Sequence, residues 1–131
     1  MRKELTLPVV VGLALYLLFS LTVSKAASEQ AEADQTVILR NIEFNPSRIK
    51  VSVGDRVKFI NRDPFLHDIL IVRAANPNIV IVPTTLIPAG QSVTVTIEEE
   101  GLFTLYCTIH GGMKGKVSTT GSFELSEGER K

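Results

Sequence analysis

Two hydrophobic patterns divide this chain. Residues 5–23 form an apolar run without a single charge, whereas from Thr36 onward apolar and polar residues alternate with a period of two. Alternation of this kind is typical of β-strands that bury one face against a core. It is clearest over residues 56–59 and 92–97. The pattern therefore predicts an exported or anchored N-terminal segment followed by a β domain.

The alternating part of the chain predicts an all-β fold. The segments expected to be strands are residues 36–42, 48–53, 56–59, 68–72, 79–82, 92–97, 102–107, 114–118 and 122–125. Turn-forming Gly, Asp, Asn and Pro residues separate them, and no segment has the 3.6-residue period of an amphipathic helix. Residues 86–87 are interpreted as a lid over the core rather than as part of an exposed apolar patch. Short strands at this spacing favour a two-sheet β-sandwich.

The N-terminal segment fits two interpretations. A charged start, an apolar middle and small residues before a possible cut after Ala26 are typical of a secretory signal peptide. The nineteen uncharged residues 5–23 are also just long enough to span a bilayer as a helix. Residues 1–26 are thus a signal peptide or a membrane anchor, residues 27–35 a polar linker, 36–126 the folded domain and 127–131 a tail. Either alternative predicts export, to the periplasm or to the outer face of the cytoplasmic membrane.

The composition of the chain argues against several functional classes. Fourteen basic and fourteen acidic residues give a formal net charge of zero, so nucleic acid is not expected as a partner. The single cysteine, Cys107, excludes an intrachain disulfide and a four-cysteine zinc site. Only His67 and His110 are available as imidazole ligands, which is too few for a second, catalytic metal centre. We therefore expect that the protein is not an enzyme.

Candidate chemistry is concentrated in a short loop near the C-terminus. Cys107, His110 and Met113 follow the pattern C-x2-H-x2-M between two predicted strands, and Gly111 and Gly112 permit a tight return. A thiolate, an imidazole and a thioether form a soft ligand set that suits copper far better than magnesium or calcium. A trigonal site with two histidines needs one more imidazole, and His67 is the only other histidine. The sequence therefore predicts one copper ion per chain.

These motifs resemble those of the cupredoxins, the small blue copper proteins. The resemblance extends over roughly residues 33–125 and includes residues 45–61, and the length of the 107–113 loop is similar to that of the amicyanins. It implies a Greek-key β-sandwich. It also implies a type 1 site in which His67, Cys107 and His110 are the equatorial ligands and Met113 is the axial ligand. In this family, redox partners dock on apolar surface around the C-terminal histidine.

The function expected from this resemblance is one-electron transfer outside the cytoplasm, with copper alternating between Cu(I) and Cu(II). The expected partners are redox proteins (a cytochrome, an oxidase or a dehydrogenase) that dock near His110 on a monomeric carrier. Membrane attachment through residues 5–23 is a further expectation. Copper delivery or storage is the alternative, although such sites are often rich in Met or His and this chain has two of each. Nitrite reductases and multicopper oxidases need further histidines.

One residue departs from the family pattern. Many cupredoxins have Asn after the first histidine ligand, and this chain has Asp68. A carboxylate there can accept a backbone N–H, for example from Thr108, but when ionised it cannot donate. Two alternatives follow: a charge near the metal that stabilises Cu(II) and lowers the reduction potential, or a carboxylate that faces solvent.

Overall fold

A computed structural model describes residues 32–125 of the chain. The predictions for the signal or anchor segment and the tail, and for most of the linker, concern residues outside that range. Within residues 32–125 no helix is long and apolar enough to cross a membrane.

The described residues form nine β-strands. In chain order they are β1 Gln35–Arg40, β2 Glu43–Asn45, β3 Arg48–Lys50, β4 Arg56–Asn61, β5 His67–Arg73, β6 Val80–Ile87, β7 Ser92–Thr96, β8 Leu102–Tyr106 and β9 Lys114–Ser118. One sheet has the strand order β2-β1-β4-β7, and the other has the order β3-β9-β8-β5-β6. The predicted all-β, two-sheet sandwich is therefore confirmed for this part of the chain.

The core lies between the two sheets and is built by the alternation seen in the sequence. In β4, Val57 and Phe59 are fully buried, while Lys58 between them is only partly buried. In β8, Phe103 and Leu105 are buried on the facing side. The Phe44 and Phe59 rings meet edge to face, with centroids 6.5 Å apart. Each such apolar side chain contributes about 1.5–3 kcal/mol when fully buried, so the core can hold a metal site without depending on the metal.

Several local predictions differ from the structure. The strand expected over residues 48–53 ends at Lys50, and the strand expected over residues 79–82 extends to Ile87. Residues 122–125 are not a strand, because this segment turns back over the second sheet and Phe123 packs against Arg48 and Lys50. Strand β2 was not predicted, since three residues with one buried side chain, Phe44, are too short to show a period. Residues 86–87 are the end of β6 rather than a lid: Ile87 is buried and Leu86 is exposed.

Gly115 brings the start of β3 close to β9. A Cβ atom at this position would lie 2.8 Å from the carbonyl oxygen of Ser47, which is closer than real Cβ atoms approach. The next residue, Lys116, donates its backbone N–H to that same carbonyl at 2.8 Å. The two strands then run parallel, with Arg48 beside Lys116 and Ile49 beside Val117.

Candidate metal centre

Strand pairing brings the predicted ligands to one end of the sandwich. His67 is the first residue of β5, and Cys107 follows the last residue of β8. These strands are antiparallel neighbours with Leu70 opposite Tyr106, so the start of one lies beside the end of the other. His110 lies in the loop after Cys107, and Met113 immediately precedes β9.

The ligand atoms of His67, Cys107 and His110 lie within 4.8 Å of one another. The Cys107 Sγ atom is 3.7 Å from Nδ1 of His67 and 3.6 Å from Nδ1 of His110. A metal ion about 2.3 Å from a sulfur and about 2.0 Å from a ring nitrogen, with a trigonal angle, separates those two atoms by about 3.7 Å. The spacing of the three side chains therefore fits one metal ion, and a thiolate with two imidazoles favours copper.

Met113 lies at the base of the same loop and is buried. Its backbone N–H donates to the carbonyl of His110 at 3.3 Å, and its own carbonyl accepts the N–H of Cys107 at 3.1 Å. These bonds fold residues 107–113 into a closed turn. Of the two glycines that permit this tight return, Gly112 adopts a left-handed conformation, with φ of 89°. The axial role of Met113 stays a prediction.

His67 is fully buried and is oriented by Asp63. Its Nε2 atom lies 2.8 Å from the Asp63 carboxylate. An ionised carboxylate only accepts, so in the neutral imidazole Nε2 carries the proton. Nδ1, which faces Cys107, is then left with its lone pair free for a metal ion. The hydrogen bond thus selects the tautomer that the site requires.

Asp63 is itself held by the turn between β1 and β2. The backbone N–H groups of Asn41 and Ile42 donate to its two oxygens at 2.8 Å and 3.1 Å. Both turn residues have positive φ values, 57° and 62°, which aim their N–H groups at the carboxylate. Burial alone would raise the pKa of Asp63, but the hydrogen bonds from Ile42, His67 and Asn41 outweigh it and lower the pKa below its ordinary value. The carboxylate is therefore ionised.

Asn61 braces the segment that leads to His67. Its buried amide donates to the carbonyls of Phe65 and Ile87, each at 2.8 Å, and its oxygen accepts the N–H of Asp63 at 2.9 Å. In the sequence, Asn61 and Asp63 were interpreted only as turn residues. The pattern that could have indicated their role is an acidic residue four positions before a candidate ligand, within a turn that begins with Asn.

Asp68 faces inward, toward the loop that carries Cys107. Only 1% of the residue is exposed. Its carboxylate accepts the backbone N–H of Thr108 at 2.6 Å and also the Thr108 hydroxyl. The prediction that it could accept from Thr108 is confirmed, and the alternative of a carboxylate facing solvent is wrong. Asp68 thus ties the two ligand-bearing segments together.

His110 lies at the surface, beside exposed apolar side chains. The Phe65 ring contacts both histidine rings, with centroids 5.3 Å from each. Phe65, Leu66 and Ile109 have 40%, 41% and 44% of their surface exposed. Large apolar side chains grouped in this way are typical of protein interaction surfaces. Of the two imidazoles in the cluster, His67 is fully buried and His110 is the one that is partly exposed to solvent.

Comparison with known proteins gives consistent results. Residues 31–120 match a family model described as copper binding proteins, plastocyanin/azurin family. A plastocyanin from Daucus carota is 37% identical over 84 residues, which cover 59% of this chain and 87% of the plastocyanin. An amicyanin from Paracoccus denitrificans is 28% identical over 92 residues, 70% of each chain. The solved Cu(I) form of an amicyanin variant has a TM-score of 0.59 at 28% identity, covering 71% of this chain and 88% of that one.

Proposed function

The chain belongs to the plastocyanin/azurin family of copper-binding proteins, and from that premise we propose that it is a one-electron carrier working outside the cytoplasm. The predicted membership of the cupredoxins is confirmed, and the cofactor is one copper ion per chain. We propose His67, Cys107 and His110 as the equatorial ligands and Met113 as the axial ligand. The observation that carries this assignment is the cluster of one thiol and two imidazoles at one end of the sandwich.

Electron transfer is efficient when ligands move little, and the protein holds its ligands firmly. His67 is fixed by Asp63, and the segment after Cys107 is fixed by the bonds between Asp68 and Thr108. When bound, copper supplies the change between Cu(I) and Cu(II). The surrounding hydrogen bonds join strands of the core, so the positions of the donors are set by the fold before any metal binds.

We propose that electrons enter and leave near His110. This ring is the partly exposed one of the cluster and is in contact with Phe65. Leu66 and Ile109, which precede the two histidines in the chain, add exposed apolar surface. A redox partner that covers this surface excludes water and approaches the ligand edge closely. The chain offers no third histidine and no second cysteine, so we propose a carrier without an enzymatic second metal site.

Copper loading of the full chain tests the assignment. We expect one copper per chain and intense absorption in the red part of the visible range from thiolate-to-copper charge transfer. Cys107→Ser should abolish the colour while far-ultraviolet circular dichroism stays unchanged, because the core does not depend on the thiol. Thr108→Ser is the matched control: it keeps a hydroxyl for Asp68 and should stay blue. Retained intense colour in Cys107→Ser would overturn the ligand set.

The same sample distinguishes a carrier from a copper-delivery protein. A carrier should hold copper through repeated oxidation and reduction, because its donors are buried and hydrogen-bonded. Rapid loss of copper to a competing chelator, in the presence of normal colour, would favour delivery instead.

A further inference from the structure

A row of basic side chains borders the metal loop on the outer face of the second sheet. Arg48 and Lys50 project from β3, and Lys114 and Lys116 project from the adjacent strand β9. We call these four residues the basic face. Arg48 and Lys116 stand directly opposite each other in the register of the two strands. Two cations at neighbouring positions repel each other, so this arrangement does not itself stabilise the pairing of β3 with β9.

No carboxylate in residues 32–125 forms an ion pair with the basic face. The ion pairs within that range join Asp34 to Arg56, Asp63 to His67 and Glu99 to Arg73. Glu43 and Glu124 line neighbouring grooves with Lys114 and Lys116, but neither forms an ion pair there. Within the described residues, the four positive charges therefore have no carboxylate partner.

Aromatic rings contact three of these four cations, and the fourth, Lys116, donates from its ammonium group to the Phe123 carbonyl at 3.4 Å. The Arg48 guanidinium and the Lys50 ammonium lie 5.7 Å and 5.5 Å from the centroid of the Phe123 ring. The Lys114 ammonium lies 5.7 Å from the Tyr106 ring. Cation–π contacts of this kind restrict long side chains without neutralising their charge. Less conformational entropy is then lost when a partner binds.

Between these side chains lies a shallow hollow of about 290 Å³. Cationic, hydroxyl-bearing and small residues line it, and none is acidic: Ser47, Arg48, Thr104, Lys114, Gly115 and Lys116. Such a lining offers several N–H and O–H donors to an anionic group. A carboxylate from another protein is the kind of group that this hollow can accept.

The basic face is also close to the proposed copper site along the chain. Tyr106 immediately precedes Cys107, and Lys114 immediately follows Met113. A protein bound on this face would therefore lie against the two strands that lead to the thiol and the thioether. A redox partner gains from such a position, whereas a lipid surface would gain only the charge attraction.

We propose that the basic face is a docking surface for an acidic redox protein, whose carboxylates bind the hollow and its rim. The redox character of the partner rests on the proposed function; the affinity for acidic protein does not. Charge complementarity of this kind accelerates association and orients the partner.

Binding of the full chain to immobilised poly-L-glutamate tests the surface directly. Arg48→Glu with Lys116→Glu should raise Kd at least about tenfold at low ionic strength, and Arg48→Gln with Lys116→Gln should give an intermediate value. The matched control, Arg40→Glu with Lys58→Glu on the outer face of the first sheet, makes the same change in net charge. It should alter Kd by less than about twofold. Vesicles containing phosphatidylserine and a single-stranded oligonucleotide serve as the competing anionic probes.

Each outcome decides the proposal. A loss of affinity for poly-L-glutamate that is confined to the basic-face variants supports the proposal. Equal losses in the control variant would show that net charge alone acts, and unchanged binding would show that the face has no role; both overturn it. Binding to the vesicles or the oligonucleotide that depends on Arg48 and Lys116, without binding to poly-L-glutamate, would assign the surface to lipid or nucleic acid instead. The copper colour of every variant is recorded, so failure of this proposal is distinguishable from failure of the copper assignment.

Discussion

The link between Asp63 and His67 makes a strong quantitative prediction for Asp63→Ala. The substitution removes the acceptor of three N–H groups, from His67, Asn41 and Ile42. Hydrogen bonds to a charged group contribute about 1.5–3 kcal/mol each. The two turn residues are exposed and can bond to water after the change, whereas the ring of His67 is fully buried. Counting the His67 bond in full and the other two at about half gives a loss of about 4 kcal/mol.

Urea unfolding of the metal-free protein measures this loss, and Asp55→Ala is the matched control. Asp55 also accepts one backbone N–H, from Ser52 at 2.7 Å, but in an exposed turn. Its removal should cost only about 1 kcal/mol. A domain of this size is stable by about 5–15 kcal/mol in total, so the difference between the two variants is large enough to resolve.

Copper affinity supplies a second, independent measurement for the same residue. The side chain in Asp63→Asn has a single acceptor oxygen for the three surrounding N–H donors. Either His67 then loses the hydrogen bond that selects its tautomer, or the turn between β1 and β2 loses its hydrogen bonds to residue 63. We expect copper affinity to fall by about 10–100-fold, as is typical when the partner of a metal-binding histidine is removed. An Asp63→Ala variant that loses no more unfolding free energy than Asp55→Ala, together with Asp63→Ala and Asp63→Asn variants that bind copper as tightly as the original protein, would contradict this role for Asp63.

Four further predictions concern the residues around the candidate metal centre and the N-terminal segment. Because the pKa of Asp63 is lowered on folding, its ionised carboxylate stabilises the folded protein fully above the unfolded pKa of about 3.9, and this stabilisation is lost as pH falls through the folded pKa. The difference in unfolding free energy between the original protein and Asp63→Asn should therefore shrink toward pH 2. A difference that stays constant with pH contradicts this prediction. Asp68→Asn should raise the reduction potential measured by voltammetry, since removal of a buried negative charge favours Cu(I); an unchanged potential would mean that the carboxylate is only structural. Asn61→Ala should cost about 3 kcal/mol in urea unfolding because it leaves two carbonyls without their donor; a cost below about 1 kcal/mol would be inconsistent with that bracing. Sequencing of the native N-terminus should find Ala27 on a soluble protein if residues 1–26 are a cleaved signal, whereas an intact first residue on protein that stays with membranes after a high-salt wash indicates an anchor.

The sequence alone was sufficient for the architecture and the type of chemistry. A period of two is a local property, so it predicted β1, β4, β5, β7 and β8 within two residues at each end. Of β6, the longest strand, it predicted only the first part. The candidate ligands His67, Cys107 and His110, which the structure brings together, could be named from the sequence because one cysteine and two histidines leave few ways to build a copper site. Short elements were less accessible, and β2 and the irregular end at residues 122–125 were both misjudged.

Only the tertiary structure determined which residues support the candidate metal centre through hydrogen bonds between segments that are far apart in the sequence. Asp63 meets Asn41 from 22 positions away, and Asp68 meets Thr108 from 40 positions away. Whether a carboxylate faces a loop or faces water depends on strand register and on the paths of loops packed against it. Neither is encoded in the periodicity of its own segment.

The basic face has the same origin. Arg48 and Lys50 look like solvated charges within their own segment, and so do Lys114 and Lys116. They become one surface because β3 and β9 pair in parallel, with Gly115 and Ser47 in close contact at the start of the pair. Local alternation determines which side of a strand is polar, but the pairing of strands far apart in sequence determines which polar sides are neighbours, because that pairing is selected by burial of the whole core.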